Sequence, residues 1–392
     1  MGSGKTTALI NYINESDNET KFLYITPYLT EVKRVIENCP SKNFKQPESY
    51  GTKIKGIKYL FENGINIVST HSLFRLFDQE IIDLAFNNNY ILVMDEVANV
   101  IEPLDISKDD LETILEKYTK IVDGHILKWI ATEYEGEFER YKRLCDLECV
   151  GIYNNTAILW LFPIATFKAF REIFILTYLF EAQTQKYYFD FYGIEYKYLY
   201  IFGDNVNNFR LTEEKINYIY SDYTKLIHIC DNEKLNHIGE SEYALSKRWY
   251  NCNKNNILIK NLKNNVVNFF KNYTKTKTQL NLWTTFKDFQ PLITGKGYSK
   301  GFLSSNMRAT NEYRNRIAVA YLVNKFFNPH VENFFVARGI KIDEDAYALS
   351  EMLQFIWRSA IREGKEIWLY IPSKRMRELL INWINNQKHS ER

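Results

Sequence analysis

The stretch Met1-Gly2-Ser3-Gly4-Lys5-Thr6-Thr7 decides how the fold is read. Gly2 to Thr7 match the second half of a P-loop, in which backbone N–H groups cradle phosphates, a lysine reaches the β/γ oxygens and a hydroxyl holds Mg²⁺. The residues that follow, ALINYI, have helical spacing, so the loop opens a helix whose N-terminal dipole also favours phosphate. Nucleoside triphosphate chemistry is the expectation. The full pattern G-x-x-x-x-G-K-[ST] puts its first glycine five positions before Gly4, ahead of Met1, and the strand that feeds such a loop lies further upstream still. Either the stretch is truncated or the fold does without that strand. The competing reading is a chance GSGKTT in a flexible terminus.

Length and composition frame this. A chain of 392 residues suggests two or three domains, and 45% hydrophobic with 16% aromatic residues excludes a disordered chain. With 50 basic and 48 acidic side chains the net charge is +2, so any basic groove is local. The five cysteines (Cys39, Cys145, Cys149, Cys230, Cys252) are odd in number and scattered, which fits reduced thiols in a cytoplasm. Cys145 and Cys149 have no second ligand pair nearby to make a zinc site. No run approaches a membrane span and no leader precedes the loop. Richness in Asn, Lys, Ile and Tyr hints at AT-rich coding DNA, as in a low-GC bacterium or its phages.

After the first helix, KFLYITPY reads as a buried strand stopped by Pro27, and LTEVKRVIENC as a helix. INIVSTHSLFRLF repeats the pattern with a strand Ile65 to Thr70, and YILVMDEV is a third strand ending at Asp95 and Glu96. Strands alternating with helices predict parallel βαβ units in a doubly wound sheet, whose ligands gather at the carboxyl ends of the strands. From Pro103 to about residue 160 the text is charged and reads as a helical insertion, opening on a Ser107/Asp110 start signal. REIFILTYLF returns to the sheet, and the aromatic run KYYFDFYGIEYKYLYIF reads as strand-rich. Later strands are LIHICD, QLNLWTTF, GFLSSN and EIWLYIPS; a helix from Ala346 to Arg362 precedes the last, and MRELLINWINNQ closes the chain.

Asp95-Glu96, after four apolar strand residues, fits an acidic pair in which one carboxylate serves Mg²⁺ and the other orients or deprotonates water. Taken singly it is also an ordinary acidic strand end. Lys5-Thr6, TPYLTEV, STHSLF, VMDEVANV, ILTYLF, LWTTF, SSNMRATN and QFIWRSAIR occur in the order of the motifs of superfamily 2 helicases and span nearly the whole chain. The chain resembles the DEAD/DEAH-like helicases of phages and mobile elements, and more loosely origin-binding helicases. The resemblance implies two RecA-like P-loop domains, residues 1–185 with the helical insertion at about 103–160 and residues 186–392, with ATP and Mg²⁺ in the cleft and a nucleic-acid strand across both.

On that resemblance Gly2, Ser3, Gly4, Lys5, Thr6 and Thr7 hold ATP, and Thr6 and Asp95 meet its Mg²⁺. Thr26 and Pro27, then Thr70, His71 and Ser72, touch the phosphates of the nucleic acid. Thr177 and Tyr178 couple hydrolysis to domain movement. Trp283 to Phe286, including Thr284, form the second domain's phosphate-tracking strand, and Ala309, Thr310 and Asn311 its contact loop. Gln354, Arg358 and Arg362 recur every four residues and so share one face of a helix. The family pattern Q-x-x-G-R-x-x-R is kept between Gln354 and Arg358, but Trp357 stands where glycine is usual and the last arginine comes one position late. Either arginine could be the finger on the γ-phosphate; the plain alternative is a solvated basic face, since Leu353, Ile356, Trp357, Ala360 and Ile361 make a separate core stripe. Lys374, Arg375 and Arg377 line a groove or are solvated surface. His125, His228 and His330 are structural, and Tyr187, Tyr188, Tyr196, Tyr198 and Tyr200 are strand core or surface.

The expectation is an ATP hydrolase that couples turnover to movement on single-stranded DNA or RNA, in phage or mobile-element replication in the cytoplasm of a bacterial host, with single-stranded or duplex nucleic acid (DNA favoured over RNA, the sequence not deciding between them) and replication proteins as partners and no membrane. The alternatives are a nucleic-acid-stimulated ATPase without unwinding, and a truncated, non-catalytic nucleic-acid-binding protein.

Overall fold

A computed structural model describes residues 4–27, 29–48, 51–203, 205, 208–215, 222–305 and 312–389. The chain divides into two units, one of Ser3–Lys215 with Asn328–Ile342, the other of Ile216–Phe327 with Asp343–Arg392.

The first unit is built on a parallel sheet of β1 (Phe22–Thr26), β2 (Ile67–Thr70), β3 (Ile91–Asp95) and a later strand, Glu172–Leu176. Every residue of β1 is buried, as the uninterrupted apolar run FLYIT requires of a strand covered on both faces. The helix before it, α1 (Lys5–Glu15), buries Ala8, Leu9, Ile10 and Ile13, of which the last three form one apolar cluster with Phe22, Tyr24, Val68 and Val93 of the sheet.

The insertion expected to be helical does contain the two helices read from sequence, but they lie on a sheet that the reading did not anticipate. β4 (Ile101–Pro103), β5 (Thr119–Val122), β6 (Ile126–Trp129), β7 (Val150–Tyr153) and β8 (Ala157–Leu161) form an antiparallel sheet in the order β4-β8-β7-β6-β5. Two helices, Lys108–Lys117 and Glu139–Asp146, cover it through Leu111, Ile114 and Cys145. Ser107 does cap the first, its hydroxyl accepting from the Asp110 N–H at 3.1 Å. The hairpin turns carry left-handed residues, Asp123-Gly124 (φ 50° and 69°) and Asn154-Asn155 (φ 46° and 54°), the residue types that tolerate positive φ. The segment Pro329–Val336, late in sequence, forms a helix that packs on β4, β7 and β8. There Gly151 makes room: a Cβ on it would lie 2.9 Å from the Phe334 ring.

The sheet resumes with β9 (Glu172–Leu176), giving the order β2-β1-β3-β9, all parallel. The aromatic run expected as strand is a helix, Thr184–Phe191, with Tyr187 and Tyr188 buried in it, followed by a small hairpin of β10 (Tyr200–Phe202) and β11 (Arg210–Thr212). Tyrosine and phenylalanine bury equally well in either element, so β propensity misled here.

The second unit holds a parallel sheet of β12 (Ile227–Ile229), β13 (Asn281–Thr284), β14 (Ala318–Tyr321) and β15 (Ile367–Tyr370) in the order β12-β15-β14-β13. β14 was not read from sequence. GFLSSN, expected as a strand, contributes only a bridge from Phe302 to Trp283. The core is aromatic, and its polar ends find backbone partners: Trp283 Nε1 donates to the Tyr298 carbonyl at 2.8 Å and the Tyr250 hydroxyl to that of Leu322 at 2.8 Å. Among the described residues no helix is long and apolar enough to cross a membrane.

Candidate active site

In a parallel sheet all carboxyl ends lie on one side, so β1, β2, β3 and β9 deliver Thr26, Thr70-His71, Asp95-Glu96 and Thr177 to a common edge. Direct contacts join them. His71 Nε2 lies 3.2 Å from the Asp95 carbonyl, Thr177 donates its hydroxyl to Glu96 Oε2 at 3.5 Å, and the Glu96 N–H donates to the Leu176 carbonyl at 3.1 Å. Glu96 sits at φ 78°, a left-handed conformation that an ordinary residue holds only where its surroundings fix it, and one concentrated at working sites.

Burial above all, with the charges of Glu96 and Glu31, pushes the Asp95 carboxyl up to about 7; Arg34 and Lys5 pull the other way. Lys5 is thus among the charges whose field reaches Asp95. Glu31 and Arg34 come from the helix Leu29–Asn38 and pair at 3.1 Å. They were not singled out from sequence, although their place in the helix following β1 carries them to this edge. Gln185 was also missed: its Oε1 accepts from the Ala98 N–H at 2.7 Å, fixing the backbone just beyond Glu96.

α1 starts at Gly4 in the left-handed conformation (φ 76°), and no Gly4 side chain exists to cap it. Glycine is required twice over, because a Cβ would also collide with the Phe209 ring. A helix start without a side-chain cap, beside a lysine, offers N–H donors to an anion. Gly2 and Ser3 lie outside the described residues.

Two expected phosphate-contacting hydroxyls are differently placed. Thr26 and Thr284 are fully buried, and the Thr284 hydroxyl turns to the Thr285 carbonyl at 3.5 Å, so neither side chain is presented to a ligand. Thr70 and His71 are half-buried, Ser72 exposed. Ala309, Thr310 and Asn311 lie outside the described residues.

Gln354, Arg358 and Arg362 do not share a helix face. The helix is Glu344–Ile356; Ser359 donates its hydroxyl to the Ile356 carbonyl at 2.6 Å, and the Ala360 N–H bonds the Arg316 carbonyl at 2.8 Å, so the ladder breaks. Arg362 stands exposed on a separate 3₁₀ turn, Ala360–Glu363, whereas Arg358 is buried with its Nε donating to the Gln354 carbonyl at 3.0 Å. Trp357, where the family has glycine, is buried beside Tyr223 and Trp383. Arg375 donates to Asp345 at 2.7 Å and to the Lys325 carbonyl at 2.7 Å, which accounts for it structurally. Cys145 and Cys149 are buried thiols with raised pKa, and no acidic, histidine or cysteine cluster fit for a metal occurs among the described residues.

The protein is 40% identical over 406 aligned residues to the SPbeta prophage-derived uncharacterized protein YonV of Bacillus subtilis (strain 168), an alignment covering 99% of this chain and 98% of that one. The chain belongs to the YonV family. Residues 221–384 match the family described as the YonV C-terminal Rossmann-like domain, which is the parallel sheet of the second unit, and residues 101–160 match the YonV middle domain, which is the antiparallel insertion. Two solved structures, titled "XPD_Helicase" and "Structure of S. tokodaii Xpd4", overlay at 10% and 12% identity over 97% and 96% of this chain and 93% and 91% of theirs, with TM-scores of 0.45 and 0.47. Overlays that loose carry no argument.

Proposed function

We propose that this YonV-family chain is an ATP hydrolase of the superfamily 2 helicase type, coupling turnover to movement on single-stranded nucleic acid. The observation that carries the reading is the common edge of the first sheet, where the start of α1 with Lys5, the Asp95-Glu96 pair and Thr177 act on one another in the order the motifs have in sequence. Lys5 would meet the β/γ oxygens, and the N–H groups at Gly4 to Thr7 the remaining phosphate oxygens. Oxygen donors alone, the Thr6 hydroxyl and the Asp95 carboxylate, suit Mg²⁺, which when bound neutralises charge on the phosphates. Glu96, held rigidly at its left-handed backbone, would orient water and take its proton as the γ-phosphate is attacked. Thr177, bonded to Glu96, would report the state of that carboxylate to the rest of the chain. Arg362, exposed on its turn, is the better finger candidate than the buried Arg358. We assign the nucleic acid as DNA, the setting as prophage or mobile-element replication, and the place as the host cytoplasm, supported by the prophage origin of the relative.

The experiment is a pair of variants. Glu96→Gln should bind ATP and not hydrolyse it, because the amide is nearly isosteric but is no base; loss of binding would make the glutamate structural. ATP turnover that disappears in Lys5→Ala would tie hydrolysis to this edge.

A further inference from the structure

β12 stands at one end of the second unit's sheet and borders a groove of about 690 Å³, every lining residue of which belongs to that unit. Its apolar lining is Ile227 and Ile229 of β12 with Ile381 and Ile384 of the last helix, Lys374–His389. A second wall is the short helix Glu233–Asn236 with the turn His237–Gly239. That wall is fixed in place. A Cβ on Gly239 would collide with the Pro372 carbonyl, so the turn lies directly on the chain that leaves β15. Arg377 clamps the same spot, donating from Nη1 to the Ile371 and Pro372 carbonyls at 2.9 and 3.0 Å and pairing through Nη2 with Glu240 at 3.4 Å.

The groups left over are hydrogen-bond acceptors. Asn236 lines the groove and is only 4% exposed; its Nδ2 donates to the Cys230 carbonyl at 2.9 Å, while its Oδ1 accepts from no group among the described residues. An orphaned buried acceptor costs about 1 to 3 kcal/mol and calls for a donor. Asp231 and Glu233 line the same groove, exposed, and enter none of the ion pairs among the described residues, whereas Glu240 is matched by Arg377 and, at 4.0 Å, by Lys374.

We propose that this groove binds a small organic cation, an ammonium or guanidinium head on a hydrocarbon or aromatic body. The head's N–H groups would meet Asn236 Oδ1 and the carboxylates of Asp231 and Glu233, and the body would lie on the four isoleucines. Other ligand classes fit worse. An anion would meet unmatched carboxylates where the lining's guanidinium, Arg377, is already engaged. For a bare metal ion no convergent cluster of acidic, histidine or cysteine side chains occurs among the described residues, and the apolar lining would stay uncovered. A purely apolar molecule would leave Asn236 Oδ1 without its donor. The volume falls within the roughly 300 to 1,000 Å³ of small-molecule sites. None of these residues belongs to the edge that carries Lys5 and Asp95, so the inference does not rest on the ATPase reading.

The test is calorimetric titration of the full chain, without nucleotide, using phenylpropylammonium as the probe. It should bind at one site about tenfold or more tightly than phenylpropanol, which keeps the body and a donor but no charge, and than propylammonium, which keeps the head alone. Asp231→Asn combined with Glu233→Gln should weaken the ammonium about fivefold or more and leave the alcohol unchanged. Asn236→Leu should weaken both about fivefold, because each donates to Oδ1, with its urea midpoint showing that the variant folds. With the probe at about ten times its Kd, hydrogen exchange at residues 233–237 should slow about tenfold, with β1 in the first unit unchanged. The proposal is overturned if the alcohol binds as tightly as the ammonium, if the doubly neutralised variant binds the ammonium as the parent does, or if exchange at residues 233–237 does not change. It is also overturned if N-acetyl-argininamide binds more tightly than the probe, which would make the groove a seat for a partner protein's side chain. Because no ATP is present, failure here leaves the ATPase reading to the Lys5→Ala variant.

Discussion

Asp95→Asn should make the protein more stable while abolishing its activity. The Asp95 carboxyl titrates at about 7 in the fold instead of the ordinary 3.8, because burial and the neighbouring Glu96 and Glu31 disfavour its charge. Its folded pKa lies above the unfolded one, so the folded state binds the proton more tightly, and stability falls as pH rises from about 4 through about 7. Above that window the ionised carboxylate costs the fold about 4 kcal/mol, at 1.36 kcal/mol for each pH unit between the two values; relaxation around the buried charge brings a realistic figure to about 2 to 4 kcal/mol. An asparagine of the same size carries no such charge. Urea unfolding, followed by hydrogen exchange at β3 in metal-free, nucleotide-free buffer, should show parent and variant nearly equal at about pH 4 and the variant ahead by that amount at about pH 8. A variant less stable than the parent at the higher pH, or a difference that does not change with pH, would refute the argument. A group held at such a cost is what an active site keeps and a purely structural strand end has no reason to keep.

The two arginines should separate cleanly. Arg362→Ala should leave folding intact and lower kcat about 10³- to 10⁵-fold if it is the finger, whereas Arg358→Ala should lower the unfolding midpoint of the second unit, at a cost of about 1 to 3 kcal/mol, because Arg358 is buried and bonded to the Gln354 carbonyl. Gly151→Val should destabilise the insertion by about 1 to 3 kcal/mol by driving a side chain into Phe334 and Leu161, read by calorimetry; an unchanged transition would mean that the Pro329–Val336 helix is easily displaced. Of the five cysteines only Cys252 is exposed, and burial raises the thiols of Cys39 to about 11 and of Cys145 and Cys149 to about 12. Ellman's reagent should therefore titrate one thiol quickly at neutral pH in the native protein, and several fast thiols would contradict the packing.

What the sequence disclosed follows from how each element is stabilised. The parallel strands of the first sheet are uninterrupted apolar runs punctuated by proline or acid, a signal that survives without knowledge of the rest of the fold, and Asp95-Glu96 and Thr177 came with them. In the insertion the charged, periodic text disclosed the two helices and hid the strands between them. Its hairpins were signalled only by Asp123-Gly124 and Asn154-Asn155, two residues each amid charged text. β14 escaped because Ala318–Tyr321 is short and weakly branched, and is recognisable as a strand only through its neighbours β13 and β15. The arginine helix failed for a local reason, the Ser359 hydroxyl competing for a helix carbonyl, which no periodicity reveals. Burial of Thr26 and Thr284 depends on what packs over the strand ends, and that is a property of the tertiary structure alone.

The central claim is that the edge carrying Lys5, Asp95, Glu96 and Thr177 hydrolyses ATP in response to nucleic acid. Phosphate release by the full chain, measured with Mg²⁺ and ATP in the presence and absence of single-stranded DNA, with Lys5→Ala alongside, tests it most directly. The account predicts turnover that rises when the DNA is added and vanishes in Lys5→Ala. No turnover under either condition, or equal turnover by parent and Lys5→Ala, would contradict it.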